Sequence, residues 1–158
     1  MKILLATDGS EYSRIAAQKC CRFLAAEPGT VIKILSVVEP FVPLATEPFV
    51  TTHEYYTIVE EELKRKAGQA VAEAEAIIRN AFGEKAVIET AVLTGNVKQT
   101  IVDEAESFGA TMIVIGSHGY GFLERVLLGS VSSFVVHHAH CSILIARPDD
   151  AAKGTLKD

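Results

Sequence analysis

Residues 2–10 read Lys2-Ile3-Leu4-Leu5-Ala6-Thr7-Asp8-Gly9-Ser10, and residues 11–26 continue EYSRIAAQKCCRFLAA. Lys2 to Thr7 is β-branched and apolar, the pattern of a strand. Asp8-Gly9-Ser10 breaks it. Ser10 stands where a hydroxyl can cap the next element, and the pattern predicts a helix from Glu11 to about Ala26. Strand, turn and helix in immediate succession open a parallel α/β fold.

The same alternation runs through the rest of the chain. Pro28-Gly29 breaks the first helix, and Val31 to Val38 reads as a second buried strand. Pro40, Pro43 and Pro48, mixed with aromatics and threonines, predict an irregular excursion from Glu39 to about Tyr56. Thr57 to Phe82 then spaces Leu63, Ala67, Ala70, Ala74, Ile77 and Ala81 by threes and fours, a long amphipathic helix with Glu60/Lys64, Glu61/Arg65 and Glu62/Lys66 as surface pairs. A third strand is expected over Ala86–Leu93, a helix capped by Asn96 over Val97–Phe108 and ended by Gly109, and a fourth strand over Thr111–Ile115. A last helix runs from Ser130 to about His138, and Ser142–Ala146 is the fifth strand. Five strands alternating with helices specify a doubly wound, open, parallel sheet with helices on both faces. Residues 1–148 read as one domain, and 149–158 as a polar tail.

Composition narrows the partners. A net charge of −5 and no clustered Lys/Arg stripe argue against a backbone-driven nucleic-acid binder. The opening apolar run meets Asp8 too soon for a secretion signal, and no stretch has the length of a membrane-spanning helix. Cys20, Cys21 and Cys141 form neither a CxxC pair nor an even set, so reduced, half-buried cysteines are expected rather than a disulfide framework or a zinc site. These features point to a cytoplasmic protein that binds neither membrane nor nucleic acid.

In doubly wound sheets the ligand sits beyond the carboxyl ends of the strands. The fourth strand delivers Gly116-Ser117-His118-Gly119-Tyr120-Gly121 to that edge, and the next helix opens Gly129-Ser130-Val131-Ser132. Glycines at 116, 119 and 129 let backbone amides approach a ligand, and a helix N-terminus offers unpaired N–H donors at its positive end. Phosphate is the natural guest, with the Ser130 and Ser132 hydroxyls as supplements. No GxxxxGK[ST] lysine is present, so this is not a P-loop. His118 lies inside the loop and is the histidine best placed to touch ligand. His137 and His138 are adjacent on a helix and point apart, which disfavours a metal site built on them and His140.

The spacing Gly116-x2-Gly119-x9-Gly129-Ser130 resembles the nucleotide-binding signature of the universal stress protein family, in its ATP-binding branch. ATDGSEYS after the first strand, the Gly95 turn, the stretch Arg125 to Val131 and the closing HHAHCSILIARP are similar to that family's landmarks in the same order, from Met1 to about Arg147. The resemblance implies an adenine nucleotide alpha hydrolase-like, Rossmann-like sheet of order 3-2-1-4-5. It further implies that the chain binds ATP with Mg2+. Asp8 and Gly9 would lie near the adenosine, with Asp8 as the magnesium contact. Val37 and Val38 would lie beside adenine, and Gly116, Ser117, His118, Gly119, Gly129, Ser130, Val131 and Ser132 around ribose and phosphates. Tyr120 and His140-Cys141-Ser142 depart from the family pattern.

The function expected is a nucleotide-dependent regulatory or stress-response module, with a slow ATPase or another nucleotide-using enzyme as the alternative. An adenylating enzyme of the PP-loop type would show SGGxDS after the first strand, where this chain has ATDGSEYS. A phospho-receiver would carry an acceptor aspartate after the third strand, where Leu93-Thr94-Gly95 offers none. The Ile143-Leu144-Ile145 run on the last strand is an adhesive sheet edge, and the resemblance implies that two copies pair antiparallel there as a homodimer. Light scattering should therefore give a dimer mass; a monomer mass independent of concentration would contradict it.

Overall fold

In a computed structural model, which describes residues 1–24, 27–40, 53–119 and 128–149 (the backbone alone at 53–55), Lys2–Ala6 forms the central strand β1. Ile3, Leu4 and Leu5 have no solvent exposure, as a strand covered on both faces requires. Around it lie β2 (Thr30–Val38), β3 (Ala86–Thr94), β4 (Met112–Gly116) and β5 (Ser142–Ala146), all parallel, in the order β3-β2-β1-β4-β5. The chain winds outward from β1 through β2 to β3, then crosses back to place β4 on the other side of β1. That reversal opens a crevice beyond the carboxyl ends of β1 and β4.

Alternation along each strand divides the core between two faces. Ile3, Leu5, Ile32, Ile34 and Val114 pack against α1 (Glu11–Phe23) and α2 (His53–Phe82). Leu4, Ala6, Leu35, Ile113 and Ile115 pack against α3 (Val97–Phe108) and α4 (Ser130–His138). Lys33 interrupts the apolar run of β2, and its ammonium, half-buried, meets Glu104 of α3 at 2.5 Å. The aliphatic stem stays on the sheet while the charge finds a partner.

Several boundaries differ from the sequence reading. α1 stops at Phe23 rather than near Ala26, because Leu24 turns to an extended conformation and packs against the first core; its N–H still bonds the Cys20 carbonyl at 3.0 Å. α2 starts at His53, so the irregular excursion loses its last four residues to helix. Aromatic and β-branched residues disfavour a helix only mildly, and context overrides them. On its surface Arg65 pairs with Glu62 at 2.7 Å instead of Glu61, and the Arg65 guanidinium holds the Glu62 carboxyl below its ordinary range. The buried stripe of α2 uses Val71 and Ile78, while Ala81 is exposed. Of the tail, only Asp149 is described, and its carboxylate meets Lys19 of α1 at 2.7 Å.

The cysteines are all free thiols. Cys20 is more deeply placed than expected: it has no exposure, and burial, with Cys21 beside it, pushes its thiol up to about 12. Such a thiol stays protonated and inert at neutral pH.

One close approach fixes how α1 meets the sheet. A methyl group placed on Gly116, at the end of β4, would sit 2.8 Å from the Tyr12 carbonyl carbon and 2.9 Å from its oxygen. Only hydrogen fits between these two backbones. Gly116→Ala should therefore lower unfolding stability by about 2 kcal/mol through overpacking, seen as a lower urea midpoint at unchanged slope. A midpoint equal to that of the parent would mean that α1 yields freely.

Candidate functional site

The turn after β1 is tied down by its own side chains. The Ser10 N–H donates to Asp8 Oδ1 at 2.9 Å, an Asx turn, and the Ser13 N–H donates to Ser10 Oγ at 3.2 Å, capping α1. The Thr7 and Ser13 hydroxyls bond to each other at 3.2 Å, and Ser13 Oγ donates to the Ser10 carbonyl at 2.9 Å. These buried hydroxyls are thereby satisfied. Asp8 itself is exposed, with Oδ2 turned toward the neighbouring loop.

That loop leaves β4 through Ser117. The Ser117 N–H continues the sheet ladder to the Ala146 carbonyl at 2.8 Å. The Ser117 carbonyl then accepts two bonds, from the Gly129 N–H at 2.7 Å and from Ser132 Oγ at 2.8 Å. One carbonyl thus anchors the first turn of α4 against the end of β4. A methyl group on Gly129 would stand 3.2 Å from this oxygen and 3.3 Å from His118 Cα, and one on Gly119 would stand 2.7 Å from Asp8 Oδ2. At all three loop glycines the missing Cβ lets parts of the protein approach one another, where the sequence reading assigned the room to a ligand.

α4 begins differently from its neighbours. Ser10 caps α1 and Asn96 Oδ1 accepts from the Gln99 N–H to cap α3, but Gly129 at the start of α4 makes no side-chain cap. With the Gly129 N–H held by Ser117, the amides of Ser130, Val131 and Ser132 are left without intrahelical acceptors at the positive end of the helix dipole. The Ser132 hydroxyl, expected to assist a ligand, is buried and directed to the Ser117 and Gly129 carbonyls. It positions the loop.

These elements enclose a cavity of 610 Å³, within the usual range for small-molecule sites. Of the residues singled out in the sequence, Asp8, Val37, Gly116, His118, Gly119, Gly129, Ser130, Val131 and Ser132 line it. Gly9, Val38 and Ser117 do not. Val38 is buried, and its carbonyl accepts the Gly95 N–H at 2.9 Å as part of the ladder to β3. The sequence reading missed Thr7, Ser13, Leu35, Glu39 and the pair Val97/Ile101. That pair is an i,i+4 apolar step on the first turns of α3, a signal visible in the sequence, whereas Glu39 is marked only by its place just past β2. His118 meets Tyr12 edge to face at 5.1 Å, and its Nδ1 lies 3.1 Å from Ser117 Oγ. Tyr120 and Arg125 fall outside the described residues.

The cavity therefore has a greasy half, at the ends of β2 and α3, and a polar half, lined by the first turn of α4 and by Asp8. Among the described residues no three His, Cys, Asp or Glu side chains converge on a point that could hold a metal ion. His137 and His138 face their own helix, each with Nδ1 on the carbonyl four residues back, at 2.7 and 2.8 Å. No helix among the described residues is long and apolar enough to cross a membrane.

Comparison with known proteins places the family and the fold. The sequence model of the Universal stress protein family matches residues 1–147. Universal stress protein MJ0531 of Methanocaldococcus jannaschii is 34% identical over 147 residues, spanning 92% of this chain and 81% of its own. A universal stress protein solved in complex with cAMP superposes with a TM-score of 0.66 at 22% identity, covering 94% of this chain and 98% of that one. The Arabidopsis thaliana family protein At3g01520, solved with AMP bound, gives a TM-score of 0.64 at 18% identity over 99% and 97% of the two chains. At these identities the two structures speak for the fold, while the family match spans nearly the whole sequence: the chain belongs to the universal stress protein family.

Proposed function

We propose that the crevice binds an adenine nucleotide, ATP as its magnesium complex, and that occupancy rather than rapid turnover is what the protein uses. The observation that carries this reading is the uncapped N-terminus of α4 facing one side of a cavity whose other side is apolar. Phosphate would take the amides of Ser130, Val131 and Ser132. The base would lie against Leu35, Val37, Val97 and Ile101. That relatives of the same fold were solved with cAMP and with AMP supports the choice of an adenine nucleotide.

Magnesium fits a site of this kind, because it is commonly held by one or two carboxylates together with the substrate's own phosphates. Asp8 is the carboxylate beside the phosphate loop and would be its protein ligand. Among the described lining residues, amides, hydroxyls and carboxylates stand without the lysine and ordered base that phosphoryl transfer uses. Binding without matching transition-state stabilisation follows, and the nucleotide then acts by favouring one conformation or partner over another. Pairing of two copies through the exposed edge of β5 belongs to the same reading.

Two measurements check it. Calorimetric titration with magnesium and ATP should show binding to the parent and at least about tenfold weaker binding to Gly129→Val, whose side chain forces the 117–118 backbone away from α4. Equal affinities would mean that the nucleotide sits elsewhere. Steady-state hydrolysis of ATP with magnesium should stay below about one turnover per second; faster turnover, lost in Asp8→Ala, would make the protein an enzyme.

A further inference from the structure

Leu35, Val37, Val97 and Ile101 give the base side of the cavity a wall without polar side-chain groups. Such a wall holds a flat ring by its apolar area and does not tell one purine edge from another. Among the described lining residues, one ionisable side chain stands on that side, Glu39. Val37 and Glu39 are two residues apart, so alternation turns both to the same face, and both line the cavity. Glu39 lies just past the end of β2, about 7 Å beyond Val37 along the chain. It is exposed, and among the described residues no hydrogen bond or ion pair occupies its carboxylate.

Sheet order decides which part of a nucleotide reaches this carboxylate. β2 and β4 flank β1, which sets them about 10 Å apart. α4 begins against the end of β4, where the Ser117 carbonyl holds the Gly129 N–H and the Ser132 hydroxyl. A phosphate on the first turn of α4 therefore leaves the sugar over the end of β1 and brings the base to β2. We infer that Glu39 selects the base: its carboxylate accepts a hydrogen bond from the 6-amino group of adenine and disfavours purines that carry a 6-oxo group there. The inference rests on the preceding reading that the crevice takes an adenine nucleotide. An ionised carboxylate accepts hydrogen bonds and donates none, so a carbonyl oxygen facing it meets lone pairs instead of a donor. Glu39 is thus a specificity residue on the β2 side, apart from the first turn of α4.

Calorimetric titration of the full chain with AMP and with inosine monophosphate, for the parent, Glu39→Gln and Glu39→Ala, tests this. The parent should bind AMP at least about tenfold tighter, the scale of one hydrogen bond to a charged group. The amide in Glu39→Gln keeps an acceptor and adds a donor. That variant should weaken AMP and tighten inosine monophosphate, bringing the two within about twofold. Glu39→Ala should weaken AMP by about tenfold with no gain for inosine monophosphate. A loss of structure would move both ligands alike. An unchanged ratio of the two affinities in Glu39→Gln, or a parent that binds inosine monophosphate as tightly as AMP, would overturn the inference while leaving the nucleotide reading intact. Failure of the parent to bind either AMP or ATP with magnesium would overturn the nucleotide reading and the inference with it.

Discussion

The backbones of Gly116 and Tyr12 lie too close for a methyl group to stand between them, and the geometry of the crevice depends on that approach. Because α1 is drawn against the end of β4, the Asp8–Ser10 turn and the loop leaving Ser117 run side by side. Gly119 can then sit against the Asp8 carboxylate, and Gly129 against the Ser117 carbonyl. Ser132 closes the arrangement with its hydroxyl on that same carbonyl, 2.8 Å away. The described ends of this loop, 116–119 and 128–129, owe their positions to contacts within the protein.

Capping supplies the chemical asymmetry. α1 and α3 begin near the same edge of the sheet, but Ser10 and Asn96 each occupy one amide of the first turn from within the chain. α4 begins at a glycine, and its dipole end stays open to the cavity. Of these three helices α4 is the one that begins without a side-chain cap, and its first turn lines the crevice together with Asp8. The opposing apolar wall comes from residues that the sheet and α3 present there, such as Leu35 and Val97. In the proposed reading, the dipole and amides would serve phosphate, the apolar surface a base, and Asp8 the accompanying cation.

Much of this was legible in the sequence because the signals are local. Ser10 and Asn96 are side chains of a type that caps helices, at positions where strand patterns give way to helical ones, and both do so. Gly109 adopts φ 68° at the end of α3, a left-handed conformation that glycine takes without strain. The strand order came from resemblance to a family, since parallel strands far apart in sequence carry no local mark of which neighbours they take. What escaped was tertiary. Nothing in the sequence says that Leu24 leaves the helix to reach the core, or that the Ser132 hydroxyl turns inward to Ser117. Val38 was placed beside the ligand from its position at the end of β2, yet alternation turns Val37 to the cavity and the ladder to Gly95 takes the Val38 carbonyl. A shift of one residue on a strand exchanges its faces.

The central claim is that the bare first turn of α4 is where the phosphate of a nucleotide is held. Heteronuclear NMR of the labelled protein during addition of AMP reads this directly, because the capped helices serve as internal controls. The account predicts that the amides of Ser130, Val131 and Ser132 shift farthest, and that those of Ser13 and Gln99, already donating to Ser10 and Asn96, shift little. Saturable shifts at Ser13 and Gln99 with the α4 amides unmoved would contradict it.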